Sequence, residues 1–501
     1  MAGNQGSRFS SLWLATAPAT GYPPLAGPLE VDVAVIGGGI AGLTTALTLK
    51  RRGLTVAVVE AARIATGVTG NTTGKVTSLH RLVYTELAVR HSRDAARTYG
   101  EANQAAIEHI AKTVDAEAID CDFRRVANYT YTESDEFLDQ IRAEASLAAE
   151  LGLPSAFTED VPLPFPTRGA VRFDNQAQLH AVNYLQGLAR AIDGDGSAVF
   201  EQSRVHTVRD GSPAEVRTDD GVIRVRDVVV ATNLPIGDDG RFAERCSFHR
   251  SYIVASALPD SSGISRDATF ISADNPMRSI LTTRQNGTDY VLVGGEGHPA
   301  PGSGDSAERF DHLAAFARER LGAGEAAYRW STQDCMPVDG LPFAGLMSPD
   351  ARHLYTITGL RKWGLTNGTA AALVVADLVS GAENPWAKLF DSTRSVETKA
   401  STPAGRTGST RSIPDLSPGQ GAVVELDGEK TAVYADDSGK THAITAVCTH
   451  LGCTVEFNSA ESTWDCPCHG SRFSLEGSVI HGPAEKDLAP RELPSSPADV
   501  R

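Results

Sequence analysis

No run of about 18 consecutive apolar residues occurs in this chain, which excludes an ordinary membrane-spanning helix. Residues 1–30 lack both a basic segment leading into an apolar core and a twin-arginine pair, so no secretion signal is read there. Cysteine is scarce: there are seven, and while Cys121, Cys246 and Cys335 are scattered, Cys448, Cys453, Cys466 and Cys468 crowd near the C-terminus. That is the economy of a reducing compartment rather than a disulfide scaffold, and the cytoplasm is the expected location. Positive charge is also short, with 46 Lys and Arg against 62 Asp and Glu and a formal net charge of -16. Nucleic acid and anionic membrane surfaces are therefore poor main partners. No internal repeat is present.

What is present suits a soluble globular protein: 41% hydrophobic and 22% charged residues over 501 positions, enough chain for two or three domains. Val31 to Ile36 is a near-continuous apolar run, as in a buried parallel strand. It leads into Gly37-Gly38-Gly39-Ile40-Ala41-Gly42, then a helical pattern ending near Gly53, then a second strand over Leu54 to Val59 closed by Glu60. The spacing Gly37-x-Gly39-x-x-Gly42 inside a complete βαβ unit is the dinucleotide-binding pattern. Gly37 permits the tight turn, Gly39 lets the backbone approach a pyrophosphate, Gly42 lets helix and sheet pack, and Glu60 accepts from a ribose.

Beyond this unit, helical patterns run over Glu86 to Val114, Ser134 to Leu151 and Gln178 to Ile192, with a proline-punctuated loop over Pro154 to Pro166. Strand-like alternation follows from Ala198, including one strand over Val222 to Val230, and strands around Ser251 to Ala257, Ser279 to Thr283 and Tyr290 to Val293 suggest a second sheet. A helix over Ser306 to Leu321, a strand over His353 to Thr358 and a helix over Leu365 to Val379 come next. Residues 391–418 are rich in Ser, Thr, Pro, Gly and Arg and read as a linker. Short strands at Gly421 to Leu426 and Thr431 to Ala435 begin a small β domain.

The nucleotide bound by the glycine turn is decided by resemblance. Arg63 and the loop Thr66-Gly67-Val68-Thr69-Gly70-Asn71-Thr72-Thr73-Gly74-Lys75 resemble the segment with which flavoproteins of the D-amino-acid oxidase (DAO) family wrap FAD. Val228 to Asn233, Asp339-Gly340-Leu341-Pro342 and Gly359-Leu360-Arg361-Lys362-Trp363-Gly364-Leu365 are similar to later motifs of that family, in the branch of glycine and sarcosine oxidases. The resemblance implies FAD held by Gly37, Gly39, Gly42, Glu60, Arg63, Thr72, Thr73, Gly359 and Gly364. It also implies oxidation of an amine or amino acid by hydride transfer to flavin N5. No His stands in the Thr72 to Lys75 segment and the offset of Cys335 does not match the family's linking cysteine, so the FAD is expected to be noncovalent.

Near the C-terminus, Cys448-Thr449-His450-Leu451-Gly452-Cys453 and Cys466-Pro467-Cys468-His469-Gly470-Ser471 form paired boxes of metal-ligand residue types. Zinc accepts such ligands, but the boxes resemble those of a Rieske 2Fe-2S centre of the cytochrome bc type. That resemblance implies Cys448, His450, Cys466 and His469 as iron ligands, a disulfide between Cys453 and Cys468, and Gly482-Pro483-Ala484 as the loop covering the cluster. Ser471 matches a donor to the cluster, and Phe473 stands where the highest-potential members carry a tyrosine. The expected potential therefore lies between those of plant-type ferredoxins and respiratory Rieske proteins.

The expected fold is α/β: a Rossmann-like FAD-binding domain with an interleaved mixed-sheet substrate domain, plus a small all-β Rieske domain. Its expected limits are 1–30 as an extension, 31–390 as the oxidoreductase (FAD-binding from 31–90, 198–235 and 336–380), 391–418 as linker and 419–495 as the cluster domain. Lys362, Arg361 and Lys75 are candidates for positive charge at the flavin N1/C2 edge, His298 is a candidate for the substrate cavity, and no arginine stands out as a carboxylate clamp. A small-molecule amine or amino acid is the expected partner, with electrons leaving singly through the cluster to an unidentified acceptor. A chain that only passes electrons to another enzyme is the alternative, although no second GxGxxG unit exists to hold a nicotinamide. A Rieske oxygenase needs two His and a carboxylate on a mononuclear iron, and the remaining histidines form no close pair. A redox sensor without turnover stays open.

Overall fold

The computed structural model describes residues 9–237, 240–300, 306–396, 414–468, 470–482 and 484–493. They fall into two compact units, one of Met1–Cys246, Arg250–Gly297 and Phe310–Thr398, the other of Ser247–His249, His298–Arg309 and Lys399–Arg501.

At the centre of the first unit is a six-stranded sheet. Its order is Phe343–Leu346, Leu354–Thr358, Asp227–Val230, Val33–Ile36, Val56–Val59, Ala198–Phe200. All neighbours are parallel except the first pair. Val33–Ile36, Val56–Val59 and Asp227–Val230 are buried along their whole length, the signature of strands covered on both faces. Helix Ile40–Arg51 packs against helix Gly364–Val379, and both are buried over most of their surface.

A nine-stranded mixed sheet forms the second layer. It runs Ala326–Pro337, Cys246–Ala257, Thr288–Ala300, Arg278–Gln285, Ala268–Ser272, Arg124–Thr132, Gly169–Gln178, Lys75–Val76, with Ser155–Thr158 also paired to Gly169–Gln178. A smaller sheet joins Gly27–Glu30, Gly221–Val225, Ala214–Arg217 and Thr207–Arg209. In the second unit, Gly421–Leu426, Glu429–Ala435 and Thr441–Thr445 form one antiparallel sheet, and Glu456–Asn458, Thr463–Asp465, Arg472–Phe473 and Val479–His481 another. Trp464, Phe473, Val455 and Ile444 make its core, into which Cys448 and Cys466 are also drawn.

Several expected boundaries move. The strand read over Val222 to Val230 is two strands in different sheets: the amides of both Arg226 and Asp227 turn to the carbonyl of Asp32, which breaks the ladder between them. The helix read over Glu86 to Val114 is Val83–Arg90 and Arg93–Ala116, because the Ser92 hydroxyl caps a new helix at Ala95 N. The helix read from Gln178 starts at Ala181; Gln178 still pairs with Lys75 in the sheet, and His180 caps the helix through Asn183 N.

Residues 9–30 are built into the first unit. Helix Leu12–Thr16 and strand Gly27–Glu30 belong to the first unit, with Leu12 and Trp13 fully buried. The segment read as linker begins later than 391. Ser392 donates to Leu346 O, and Arg394 forms a two-pronged pair with Asp339 at 2.7 and 3.0 Å. Residues 397–413 lie outside the described residues. Among the described residues no helix is long and apolar enough to cross a membrane.

Candidate flavin cleft and cluster site

The glycine turn is built by close approach. Gly37 has φ 111°, and a Cβ there would meet Ala231 O at 2.6 Å; one on Gly42 would meet Gly37 O at 2.0 Å. Side chains are excluded at both positions by the backbone. Gly39 differs: it caps helix Ile40–Arg51 without a side chain, and a Cβ would touch only Thr69 Oγ1 at 3.5 Å. The protein leaves room there, at a helix N-terminus whose amides suit a pyrophosphate. Glu60 accepts from Gly38 N at 2.7 Å and Ala62 N at 2.9 Å. Burial pushes its carboxyl up, and those two bonds oppose the shift.

The loop from Thr66 to Lys75 closes over this turn. Thr69 Oγ1 accepts from Ile40 N at 3.2 Å, a contact the glycine pattern does not reveal. Loop carbonyls are held from elsewhere: Ser11 Oγ donates to Gly70 O at 2.6 Å, Trp13 Nε1 to Thr72 O at 2.8 Å, and Trp330 Nε1 to Asn71 O at 3.0 Å. Thr72 and Thr73 are half-buried along the loop. Arg63 is exposed, and its carbonyl, not its side chain, is engaged by Thr66.

The other wall is the turn Gly359 to Gly364. Gly359 (φ 73°) has Pro337 Cγ 2.4 Å from where a Cβ would stand, while Gly364 meets only Leu360 at 3.8 Å. Arg361 and Lys362 both take left-handed backbone, φ 54° and 69°, which is costly for side chains of this kind. Arg361 is not available as a free cation: its guanidinium donates to Gly340 O at 2.7 Å and pairs with Glu86 at 3.1 Å. Lys362 Nζ donates to Ser251 Oγ at 2.9 Å, and burial pulls its pKa down. Trp363 stacks on His80, centroids 4.6 Å apart. His80 Nε2 faces Thr77 O at 2.7 Å and Nδ1 faces the Tyr99 hydroxyl at 2.6 Å. A carbonyl only accepts, so Nε2 carries the proton, and burial lowers the ring to about 3, keeping it neutral.

Lys75 lies on the same sheet face as Ser251. Its Nζ donates to Ser279 Oγ at 2.7 Å and to Phe270 O, and Ser279 pairs with Gly294. A Cβ on Gly294 would be 3.5 Å from both Ile253 and Thr73, and Ile253 follows Ser251 by two along its strand. Burial alone lowers Lys75 to about 7. The sequence-chosen cations Lys362 and Lys75 are thus brought to one face, near Thr73. His298 stands on strand Thr288–Ala300 at the position after Gly297, its Nδ1 2.9 Å from Pro299 O. Gly39, Glu60, Thr72, Thr73, Lys362, Trp363 and Gly364 sit deep yet keep partial exposure, tracing a cleft from the helix N-terminus to the large sheet. The open space at Gly39, the helix N-terminus behind it and the carboxylate of Glu60 fit a dinucleotide flavin.

In the second unit each Cys/His box is a tight loop. Cys448 N donates to Cys453 O at 2.8 Å, and Cys466 N to Ser471 O at 2.7 Å. Cys453 and Cys468 form a disulfide joining the loops, and the sulfurs of Cys453, Cys466 and Cys468 lie within 4.8 Å of one another. Cys448 is drawn down to about 6, first by its bond with Cys466, then by the amides of His450 and Leu451 and the Ser471 hydroxyl. Donors thus converge on a thiolate, the species that holds iron. Ser471 is fully buried and accepts from Ala484 N at 2.9 Å. His450 is half-buried; His469 and Pro483 lie outside the described residues. The loops fit a 2Fe-2S cluster.

Flavin cleft and cysteine loops together define an FAD-dependent oxidoreductase carrying a Rieske-type module. A model of the DAO family, described as FAD dependent oxidoreductase, matches residues 32–378, and one of the Rieske [2Fe-2S] domain matches residues 409–495. The chain belongs to the DAO family of FAD-dependent oxidoreductases, with a C-terminal Rieske domain; it binds FAD and a 2Fe-2S cluster. It is 33% identical to the putative Rieske 2Fe-2S iron-sulfur protein YhfW of Bacillus subtilis, over 96% of this chain and 97% of that one. It is 29% identical to gamma-glutamylputrescine oxidoreductase of Escherichia coli, over 44% of this chain and 54% of that one. Glycine oxidase from Geobacillus kaustophilus shares the fold, with TM-score 0.59 at 21% identity over 74% of this chain and all of that one.

Proposed function

We propose that the protein oxidises an amine or amino acid at a carbon–nitrogen bond and passes the electrons singly through its cluster to a separate acceptor. Carrying this reading is the pair of buried lysines, Lys362 and Lys75, on one face of the large sheet beside the flavin loop. Bound FAD supplies acceptance of a hydride, two electrons at once, while a 2Fe-2S cluster accepts one. The chain's own residues supply the setting. Positive charge from Lys362 favours an anionic reduced cofactor, the His80–Trp363 stack orients the turn that carries Lys362, and the loop from Thr66 to Lys75 shuts water from the cleft. Glu60 and the amides before Ile40 hold the nucleotide end. No side chain in the Thr72–Lys75 segment is a His or Cys, which supports noncovalent FAD.

The test is anaerobic addition of a panel of amines and amino acids while flavin absorbance and the cluster's paramagnetic signal are followed. Bleaching followed by a reduced-cluster signal is the expected result. Intact FAD and cluster that no member of the panel reduces, but that a ferredoxin or NAD(P)H system does, would replace this reading with that of an electron-transfer partner. Acid precipitation should release the yellow colour into the supernatant.

A further inference from the structure

Asp334 lies in strand Ala326–Pro337, whose neighbour is strand Cys246–Ala257, itself flanked by Thr288–Ala300. Side chains alternate along a strand, so Gln333 and Cys335 take one face and Asp334 the other. Arg250 reaches Gln333 Oε1 at 3.4 Å and therefore shares the Gln333 face. Ser251, the next residue on the neighbouring strand, consequently shares the face of Asp334. Its hydroxyl accepts from Lys362 Nζ at 2.9 Å, and a Cβ on Gly297 would stand 3.2 Å from that Nζ and 3.3 Å from Ser251 Oγ. The flavin-facing turn is tied to the same strand one residue further on, Arg361 N donating to Cys335 O at 3.3 Å. Asp334, Ser251, Gly297 and Lys362 thus form one patch beneath the turn.

Asp334 is deep in the molecule but not sealed off. Among the described residues it makes no hydrogen bond and no ion pair within reach of its carboxylate, although buried acids normally have one. Burial pushes its carboxyl up to about 6, with the charge of Lys362 pulling the other way. Charged and titratable groups around it are Lys362 and, acting on Lys362, Arg81; on the reverse face stand Arg250, Tyr252, Cys335 and Cys246. The nearby arginines are taken up by protein acceptors: Arg81 by the carbonyls of Ser272 and Ala273, Arg361 by Gly340 O and Glu86, Arg278 by Glu296. Among the described residues, Arg81, Arg361 and Arg278 thus offer no free guanidinium to a substrate carboxylate at this patch, whereas Asp334 offers an acid to a cation.

We propose that Asp334 binds the substrate's ammonium group and takes its proton, and that the substrate is an alkylamine without a carboxylate on the reacting carbon. This rests on the reading of the first unit as an amine oxidant. An ammonium nitrogen has no lone pair to support hydride loss from the adjacent carbon. One N–H bond breaks, its proton goes to an Asp334 oxygen, and the electron pair stays on nitrogen. With FAD bound, the C–H bond would then break with its hydrogen leaving as hydride, both bonding electrons included, to the flavin, and water would hydrolyse the iminium cation left behind to aldehyde and ammonium. No further oxidant is required.

The experiment uses the full-length protein with FAD and cluster, as wild type and Asp334→Asn, in anaerobic rapid mixing with butylamine, 1,4-diaminobutane, glycine, alanine and proline between pH 5 and about pH 10. Alkylamines should reduce the wild-type flavin, with a rate rising through about pH 6. Asp334→Asn should lose that rise, run about a hundredfold slower at pH 7, and recover near pH 10, where free alkylamine is largely neutral. A second readout needs no turnover: tert-butylamine, which has no hydrogen on the carbon bearing nitrogen, should perturb the wild-type flavin spectrum and leave that of Asp334→Asn unchanged. An unaltered pH profile and retained tert-butylamine binding in the variant would overturn the role of Asp334 while leaving amine oxidation standing. Reduction by the amino acids and not the alkylamines would overturn the substrate class. A wild-type flavin reduced by none of them would overturn the amine reading itself.

Discussion

Replacing Trp13 with Phe asks how far the flavin loop depends on a segment distant in sequence. Trp13 is almost wholly buried, its Nε1 donates to Thr72 O at 2.8 Å, its ring meets His180 edge-on at 5.0 Å, and its edge lies 2.9 Å from where a Cβ on Gly74 would stand. Phenylalanine keeps an aromatic ring against Gly74 but removes the N–H, leaving the Thr72 carbonyl without that partner. An acceptor stranded in this way costs about 1–3 kcal/mol. On the proposed reading this loop closes over the cofactor, so this cost falls on the flavin-binding conformation. At about 1.4 kcal/mol per factor of ten, the dissociation constant for FAD should rise roughly tenfold. The assay is recovery of FAD fluorescence on serial dilution of the holoprotein, beside thermal melting of the FAD-free protein. A variant whose apoprotein melts lower but whose FAD affinity stays within about twofold of wild type would show that the segment stabilises the fold without governing the loop, and would refute the reasoning.

In the cluster unit, Arg472 is the hub of a buried set, paired with Glu461 at 2.6 Å and Asp465 at 3.0 Å. Arg472→Met removes the cation between two carboxylates that then keep only the neutral donors Asn458 and Thr463, and should destabilise this unit by about 3 kcal/mol, read as an earlier loss of cluster absorbance on denaturant titration. Lys75, depressed to about 7 by burial, binds fewer protons folded than unfolded between that value and the ordinary lysine range near 10.4. Stability should therefore rise with pH across this window, and Lys75→Met should flatten that slope in melts taken from pH 7 to 10.

Where chemistry depends on short spacing it was readable in the chain itself. Gly37, Gly42, Cys448 and Cys466 are constrained by neighbours a few residues away, so their patterns announce them. The patch around Asp334 was not readable, because it joins strands beginning near residues 246, 288 and 326 and acquires meaning only when the sheet aligns them. The same holds for Trp13 and Thr72, whose contact spans 59 residues, and for the split at Arg226, where an unbroken apolar alternation conceals a change of sheet. The pairing of Arg361 with Glu86 was not readable either, since Glu86 comes from a remote helix.

The turn that carries Lys362 also bears on any attempt to engineer this protein. Two adjacent residues there occupy left-handed backbone at a penalty of about 1–2 kcal/mol each, which glycine avoids. A library selected for heat tolerance will consequently favour Gly at positions 361 and 362, and each such winner will have traded away the brace to Glu86 or the ammonium above Ser251. Thermal selection and selection for turnover therefore pull these two positions in opposite directions, and stabilising campaigns should hold Arg361 and Lys362 constant while varying the rest of the chain.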